Sequence, residues 1–297
     1  MPRLTSHAGR VLTAAVPTAW LIVLFLIPFL IVFGISFSEV ELAIPPYSPI
    51  LLWRQGWPVL QLHLSNYAFL FTDPLYVHSY FYSLKVALVS TGCCLLLGYP
   101  MAYAIARAAD ATRNVLLLLI ILPFWTSFLL RIYAWIGLLK HDGVINNVLM
   151  ALGLIREPLT MLHTDFAVYI GIVYSYLPFM ILPLYANLEK HDPTLLEAAA
   201  DLGASPFTAF RRITLPQSWP GILAGCLLVF IPAVGEYVVP SLLGRTDQLM
   251  IGRILSDEFF ENRDWPVASA VAILMLALLV VPILAFQRSE RRELEAR

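Results

Sequence analysis

Three ionisable residues lie inside long apolar runs: Lys85, Arg131 and Glu236. A charge in hydrocarbon is costly and by default marks a pathway or a pair. Lys85 stands roughly 8 Å from the outer end of its run, near enough to snorkel outward. Arg131 and Glu236 occupy different runs, about 12 Å and 8 Å from the same outer side at 1.5 Å per residue. Two readings stand for Glu236. In one it forms a structural ion pair with Arg131 or Lys85, which lowers the cost of burial. In the other it faces a pathway and attracts an ammonium group. Trp125, Tyr133, Trp135, Tyr174, Tyr176 and Tyr237 supply rings for cation–π contacts in that second reading; helix packing and an interfacial aromatic belt account for them equally.

Side-chain catalysis has no comparable support. No G-x-x-x-x-G-K-[ST], H-E-x-x-H or G-x-S-x-G occurs, and no glycine is followed by lysine. His7, His63, His78, His141, His163 and His191 are scattered over termini and loops. Cys93, Cys94 and Cys226 lie in apolar runs and read as small buried hydrophobes rather than a disulfide framework or metal site. No catalytic residue, metal site or cofactor is expected of this chain.

The elements that must position these residues are membrane helices. The chain has 297 residues, 59% hydrophobic and only 13% charged, with mean hydropathy +0.77, whereas soluble domains carry about 25% charged residues. Six runs are long enough for a hydrocarbon core of about 30 Å: 16–37, 80–105, 115–139, 166–188, 219–241 and 266–286. Backbone groups in lipid must be satisfied within the segment, so these are helices. Pro28, Pro100, Pro123, Pro178, Pro183 and Pro232 are candidate kinks. The first run exceeds a signal-peptide core and no small-residue cleavage site follows it, so it reads as a retained helix. With the N-terminus inside, Lys and Arg outside the spans divide eleven inside to six outside, which places both termini in the cytoplasm. The outside loops carry eleven acids, either as ordinary solvated loops or as a mouth that attracts cations. Residues 143–153 have helix-spaced apolar positions and predict a short interfacial helix. Gly221-x-x-x-Gly225 permits close helix contact. The organisation read from this is 1–78 for the first helix and outer loop, 79–287 for a five-helix core, and 288–297 for a tail.

The longest inside loop, 189–220, is built as a part. Asp192 caps and Pro193 opens a helix through Leu202. Gly203 fits a left-handed stop. Ser205-Pro206 restart a second short helix with Phe207, Phe210 and Ile213 apolar, and Leu215-Pro216 end it. A small-residue apolar face on such a loop needs burial, under its own helices or in a partner's groove. Glu197-Ala198-Ala199, three residues, Gly203, nine residues, then Ile213-Thr214-Leu215-Pro216 resembles the EAA motif of ABC importer permeases.

The resemblance extends along the chain. Residues 122–135 (Leu-Pro-Phe-Trp-Thr-Ser-Phe-Leu-Leu-Arg-Ile-Tyr-Ala-Trp), 143–147, 230–240 and 262–270 look like polyamine importer permeases, the putrescine PotH type and then the spermidine/putrescine PotB type. That resemblance implies an all-α integral membrane protein of six transmembrane helices with the type I ABC importer (MetI-like) permease fold. It implies that Glu197, Ala198, Ala199, Gly203, Ile213, Leu215 and Pro216 form a coupling helix seated in an ATPase subunit. It implies two such ATPase subunits, which bind ATP and Mg, a second and different permease, a periplasmic polyamine-binding protein, and a bacterial inner-membrane location. The same fold with another cationic or amino-acid-like substrate, or an ion-coupled secondary transporter, are the alternatives.

Overall fold

The computed structural model describes residues 7–54 and 57–295. By contacts the chain forms two compact units, Met1–Val77 with Leu255–Ala277, and His78–Ile254 with Leu278–Arg297.

In the first unit, α1 (His7–Leu21) passes through one π-helical turn, Ile22–Leu26, into α2 (Ile27–Ile35). The wide turn lies where the Pro28 ring would meet the carbonyl four residues back, and it absorbs that clash without ending the helix. The expected kink at Pro28 is thus a local widening. Ala14–Ile35 is long and apolar enough to cross a membrane, with mean hydropathy 2.7. Asn66 ties down the chain beyond α2, its Nδ2 donating to the carbonyls of Ser36 (3.0 Å) and Ser38 (2.8 Å). A hairpin of β1 (Leu51–Arg54) and β2 (Trp57–Leu60), in antiparallel register with Leu51 opposite Leu60, precedes α3 (Ser65–Thr72). This hairpin departs from the all-α expectation. It lies in a loop long enough to fold on itself, with strand-favouring Trp and Val residues. Tyr76, in the first turn of α4 (Pro74–Arg107), donates to Glu258 Oε1 of α14 (Ile251–Phe260) at 2.7 Å. Asp264 Oδ1 accepts from Val267 N (3.0 Å) and caps α15 (Trp265–Glu295).

The second unit carries the rest of α4, whose Cys94, Ala102 and Ile105 are buried in its core. α5 (Asp110–Ile121) ends in a tight turn, Leu122–Trp125, and the chain then bends by 91° into α6 (Phe128–Leu139) and α7 (Val144–Ala151). The expected continuous span over 115–139 is therefore broken. Pro123 donates no backbone hydrogen bond, Thr126 is extended, and the Thr126 hydroxyl closes the turn onto the Pro123 carbonyl at 2.7 Å. The short helix expected over 143–153 is α7. Asn146, fully buried, holds its loop: Nδ2 donates to the carbonyls of Lys140, His141 and Leu159, and Oδ1 accepts from Leu159 N. α8 (Asp165–Leu188) is continuous through Pro178 and Pro183, and α4 through Pro100.

α8 packs along α12 (Trp219–Val234). A Cβ at Gly225 would lie 2.7 Å from Met180 Sδ and 3.1 Å from the Met180 carbonyl; one at Gly221 would lie 2.7 Å from Asn187 Cβ. The two glycines spaced by four are thus the contact stripe expected of them. Met180, Ile181, Leu184, Ile222, Val229, Cys94 and Ala102 form the core beside it.

Among the described residues, three helices are long and apolar enough to span a membrane, and two bent pairs bring the number to five; Trp265–Val280 of α15 is a shorter apolar stretch. The six expected runs all correspond to helical segments, two of them broken.

Candidate functional site

The loop between α8 and α12 forms the elbow its residues foretell. Asp192 Oδ1 accepts from Thr194 N at 2.9 Å and starts α9 (Thr194–Asp201). This bond to the ionised form holds the exposed Asp192 carboxyl below the usual carboxylate range. Leu202, Gly203 and Ala204 then donate back to the carbonyls of Ala198, Ala200 and Ala199, with Gly203 at φ +77°. Those bonds close the helix end in the left-handed form that glycine adopts without steric cost. Ser205 Oγ accepts from Thr208 N and starts α10 (Pro206–Ala209). The chain does not stop at Leu215-Pro216 as expected. It continues through a π turn, Phe210–Thr214, and α11 (Leu215–Gln217), and this helical stretch meets α12 at 62°.

What the elbow presents matters as much as its shape. Leu202 is 89% exposed and Phe207 71%. Glu197, Ala198 and Gly203 are exposed, and a Cβ at Gly203 meets nothing within 4 Å. Of the seven residues expected here, Leu215 and Pro216 are also exposed, while Ala199 and Ile213 are half-buried. The inner side is anchored: Phe210 sits edge-on to Tyr99 and Tyr103, and the Ser218 hydroxyl is 2.9 Å from that of Tyr99. His191 packs at the start of the loop, where burial pushes its imidazole below its ordinary pKa.

The membrane-embedded polar residues are arranged differently from either reading of Glu236. The expected span over 219–241 is not one helix. α12 ends at Val234, Gly235–Tyr237 is non-helical, and α13 (Val238–Leu243) begins a new turn. The Pro240 ring cannot follow a helical carbonyl four residues earlier, and that carbonyl belongs to Glu236. Glu236 is 6% exposed. Its Oε1 accepts from Val238 N (3.1 Å) and Val239 N (3.3 Å), and its Oε2 accepts from the Tyr176 hydroxyl. Three donors, two of them amides at a helix start, satisfy the carboxylate without a cation.

Among the ion pairs of the described residues, none joins Glu236 to Arg131 or Lys85. Arg131 instead lies over the Phe124 and Phe128 rings, 5.6 and 5.5 Å from their centroids. Lys85 is exposed. The aromatic residues divide. Trp135 and Tyr174 pack on each other edge-on, and Tyr176 belongs to Glu236. Trp125, Tyr133 and Tyr237 are exposed on the unit. Sequence reasoning missed the break at Glu236, although Gly235 and Pro240 bracket it, and missed Asn146.

Residues 95–293 match the family described as binding-protein-dependent transport system inner membrane component. The chain belongs to that family. Its relatives include the spermidine/putrescine transport system permease protein PotB of Haemophilus influenzae, 41% identical over 97% of this chain and 96% of the relative. The PotB protein of Escherichia coli K12 is 40% identical, over 92% and 94% of the two chains. Among solved structures, a chain of the bacterial alginate ABC transporter in complex with its alginate-bound periplasmic protein superposes with a TM-score of 0.70, at 19% identity over 98% of both chains. A chain of the MetNI methionine ABC transporter gives 0.56, at 18% identity, over 73% of this chain and 95% of that one. The fold is that of an ABC importer permease, MetI-like in its shared part. The curated relatives are transport permeases, and the 189–220 elbow lies within the matched region.

Proposed function

We propose that the chain is the polyamine-conducting permease subunit of an ATP-driven importer, coupled to its ATPase through the 189–220 elbow. The observation that carries the coupling is the elbow itself. It is rigidly built, yet it leaves Leu202, Phe207, Ala198 and Gly203 uncovered by this chain. An apolar, small-residue surface with a preset shape fits a cleft in another protein. Glu197 at its edge serves as a hydrogen-bonding partner for the ATPase subunit, while the half-buried Ala199 and Ile213 fix the loop behind the contact and the exposed Leu215 and Pro216 extend its surface. ATP and Mg belong to those subunits.

Spermidine or putrescine as substrate rests on the PotB relatives at about 40% identity across the chain. A second permease completes the path and a periplasmic polyamine-binding protein delivers the substrate. Both termini of this chain lie in the cytoplasm, as the eleven-to-six bias of Lys and Arg favours. The exposed rings of Trp125, Tyr133 and Tyr237 are the path residues best suited to a cation, since a π face attracts an ammonium without trapping it. Tyr174, exposed and edge-on to Trp135, adds a further ring, while the Tyr176 hydroxyl is taken up by Glu236.

The test is ATP hydrolysis by the reconstituted complex with binding protein loaded with putrescine, spermidine or an amino acid. Stimulation by the polyamines is expected. Stimulation by an amino acid alone would remove the substrate assignment and leave the coupling role intact.

A further inference from the structure

Glu236 has a partner that the transport reading does not use. Its carboxylate is buried and receives three hydrogen bonds, one of them from Tyr176 on α8 and two from the first amides of α13. The same break is clamped from two other sides. A Cβ at Gly252, in the first turn of α14, would lie 2.8 Å from the Glu236 carbonyl. A Cβ at Gly171, five residues before Tyr176, would lie 2.7 Å from Val239 Cγ1 and 2.8 Å from Leu243 Cδ1. Side chains are excluded at both places, so backbone meets backbone or side chain directly around α13.

These contacts extend a seam already described. From the elbow outward, α8 touches its neighbours at Asn187 with Gly221, Met180 with Gly225, Tyr176 with Glu236, and Gly171 with Val239. α8 and α12 are the two helices that flank the coupling elbow. Apolar glycine contacts alone allow sliding. Among these four contacts the carboxylate is the polar lock, and in a low-dielectric setting it is costly to open, because an abandoned carboxylate has no water to turn to.

We propose that Tyr176 and Glu236 form a latch that fixes α13 to α8, so that α8, α12 and α13 move as one piece when the elbow is displaced. Both are positioning residues. Neither contacts the substrate in this assignment, which rests on the transport reading above for its purpose but not for its geometry.

The experiment has two readouts on the assembled complex. Hydrogen exchange over 238–243 reads the latch with no substrate present. Uptake into proteoliposomes reads its consequence. Tyr176→Phe takes one donor from a buried carboxylate, so exchange of the Val238 and Val239 amides rises about tenfold or more. The maximal uptake rate falls with it, and the half-saturating substrate concentration is unmoved. Glu236→Gln keeps an acceptor for the two amides and a donor for the Tyr176 oxygen, so protection over 238–243 and most of the uptake persist. The double variant Tyr176→Phe, Glu236→Gln recovers part of what Tyr176→Phe alone loses, since a neutral amide short of one partner costs less than a carboxylate in the same place.

Unchanged exchange in Tyr176→Phe overturns the latch. So does loss of uptake in Glu236→Gln with full protection of 238–243, because that result puts Glu236 on the substrate. If Tyr176→Phe fails to assemble, Glu236→Gln against Glu236→Ala makes the same comparison, and equal protection in the two overturns the proposal. Absence of any polyamine response in the unmodified complex would reject the substrate assignment alone, with the exchange result still deciding the latch.

Discussion

Replacing Gly203 by Asp separates the turn from the docking surface it presents. Gly203 holds φ +77°, and a Cβ there meets no atom of the chain within 4 Å. The cost inside this chain is therefore backbone strain, about 1–2 kcal/mol for an ordinary L-residue in the left-handed region and less for Asp or Asn. That is small beside a typical stability of about 5–15 kcal/mol, so the variant inserts and folds. The cost at the partner is larger. A carboxylate pressed into a protein cleft without a cation loses hydration worth several kcal/mol, on the order of a hundredfold or more in affinity. Three measurements on the parent protein and on the Gly203→Asn and Gly203→Asp variants read this out: membrane yield, ATPase subunit retained on purification, and ATP-driven uptake. Yield should be similar for the two variants and close to that of the parent. Retention and uptake should fall in the order parent, Gly203→Asn, Gly203→Asp. A Gly203→Asp variant that keeps its ATPase and imports at the parental rate would refute the docking role. Loss of yield in both variants would show instead that the elbow is needed for folding.

Phe207→Ser should weaken ATPase binding about tenfold or more while leaving the thermal midpoint of the isolated permease unchanged, because the exposed ring gains its burial only on docking. Gly225→Ala should lower that midpoint, since the added carbon meets both the sulfur and the backbone carbonyl of Met180; overpacking of this kind costs about 1–3 kcal/mol. The pH dependence of the elbow follows from His191. Burial lowers its pKa in the fold, so the unfolded loop binds the proton more readily, and protection is full above the ordinary imidazole range and declines as pH falls through it. Tryptic cleavage at the exposed Lys190, measured against a reference peptide at each pH, should therefore accelerate between about pH 7.5 and 5.5, and His191→Gln should flatten that response.

Much of the elbow was legible because each of its parts is local. A short polar side chain at Asp192 finds an amide two residues on, Gly203 relieves a steric conflict within its own residue, and Ser205 caps the turn it precedes. None of these needs a distant partner. The spans were legible for a similar reason, since hydropathy is a property of each segment and its solvent. Their breaks were not. Thr126 and Glu236 sit in runs as apolar as any other, and periodicity does not register a missing turn. The beginnings of a signal were present in Pro123 and in the pair Gly235 and Pro240, but proline inside a membrane helix is often tolerated, as Pro100, Pro178 and Pro183 are in this protein.

The fate of Glu236 shows where local reasoning ends. Residue order alone requires that a carboxylate lie in an apolar run and be satisfied there. It likewise specifies the elbow and the small-residue stripe at Gly221 and Gly225. How the carboxylate is satisfied came from the packed bundle. Depth along two helices placed Arg131 and Glu236 at similar levels, yet azimuth and the break at Gly235 turned Glu236 toward α13 and Tyr176 and left Arg131 over two phenyl rings. Residue type and spacing fix how far along a helix a group lies. Which neighbour it meets depends on how helices rotate and pack against one another, and that is settled by the contacts of the whole bundle.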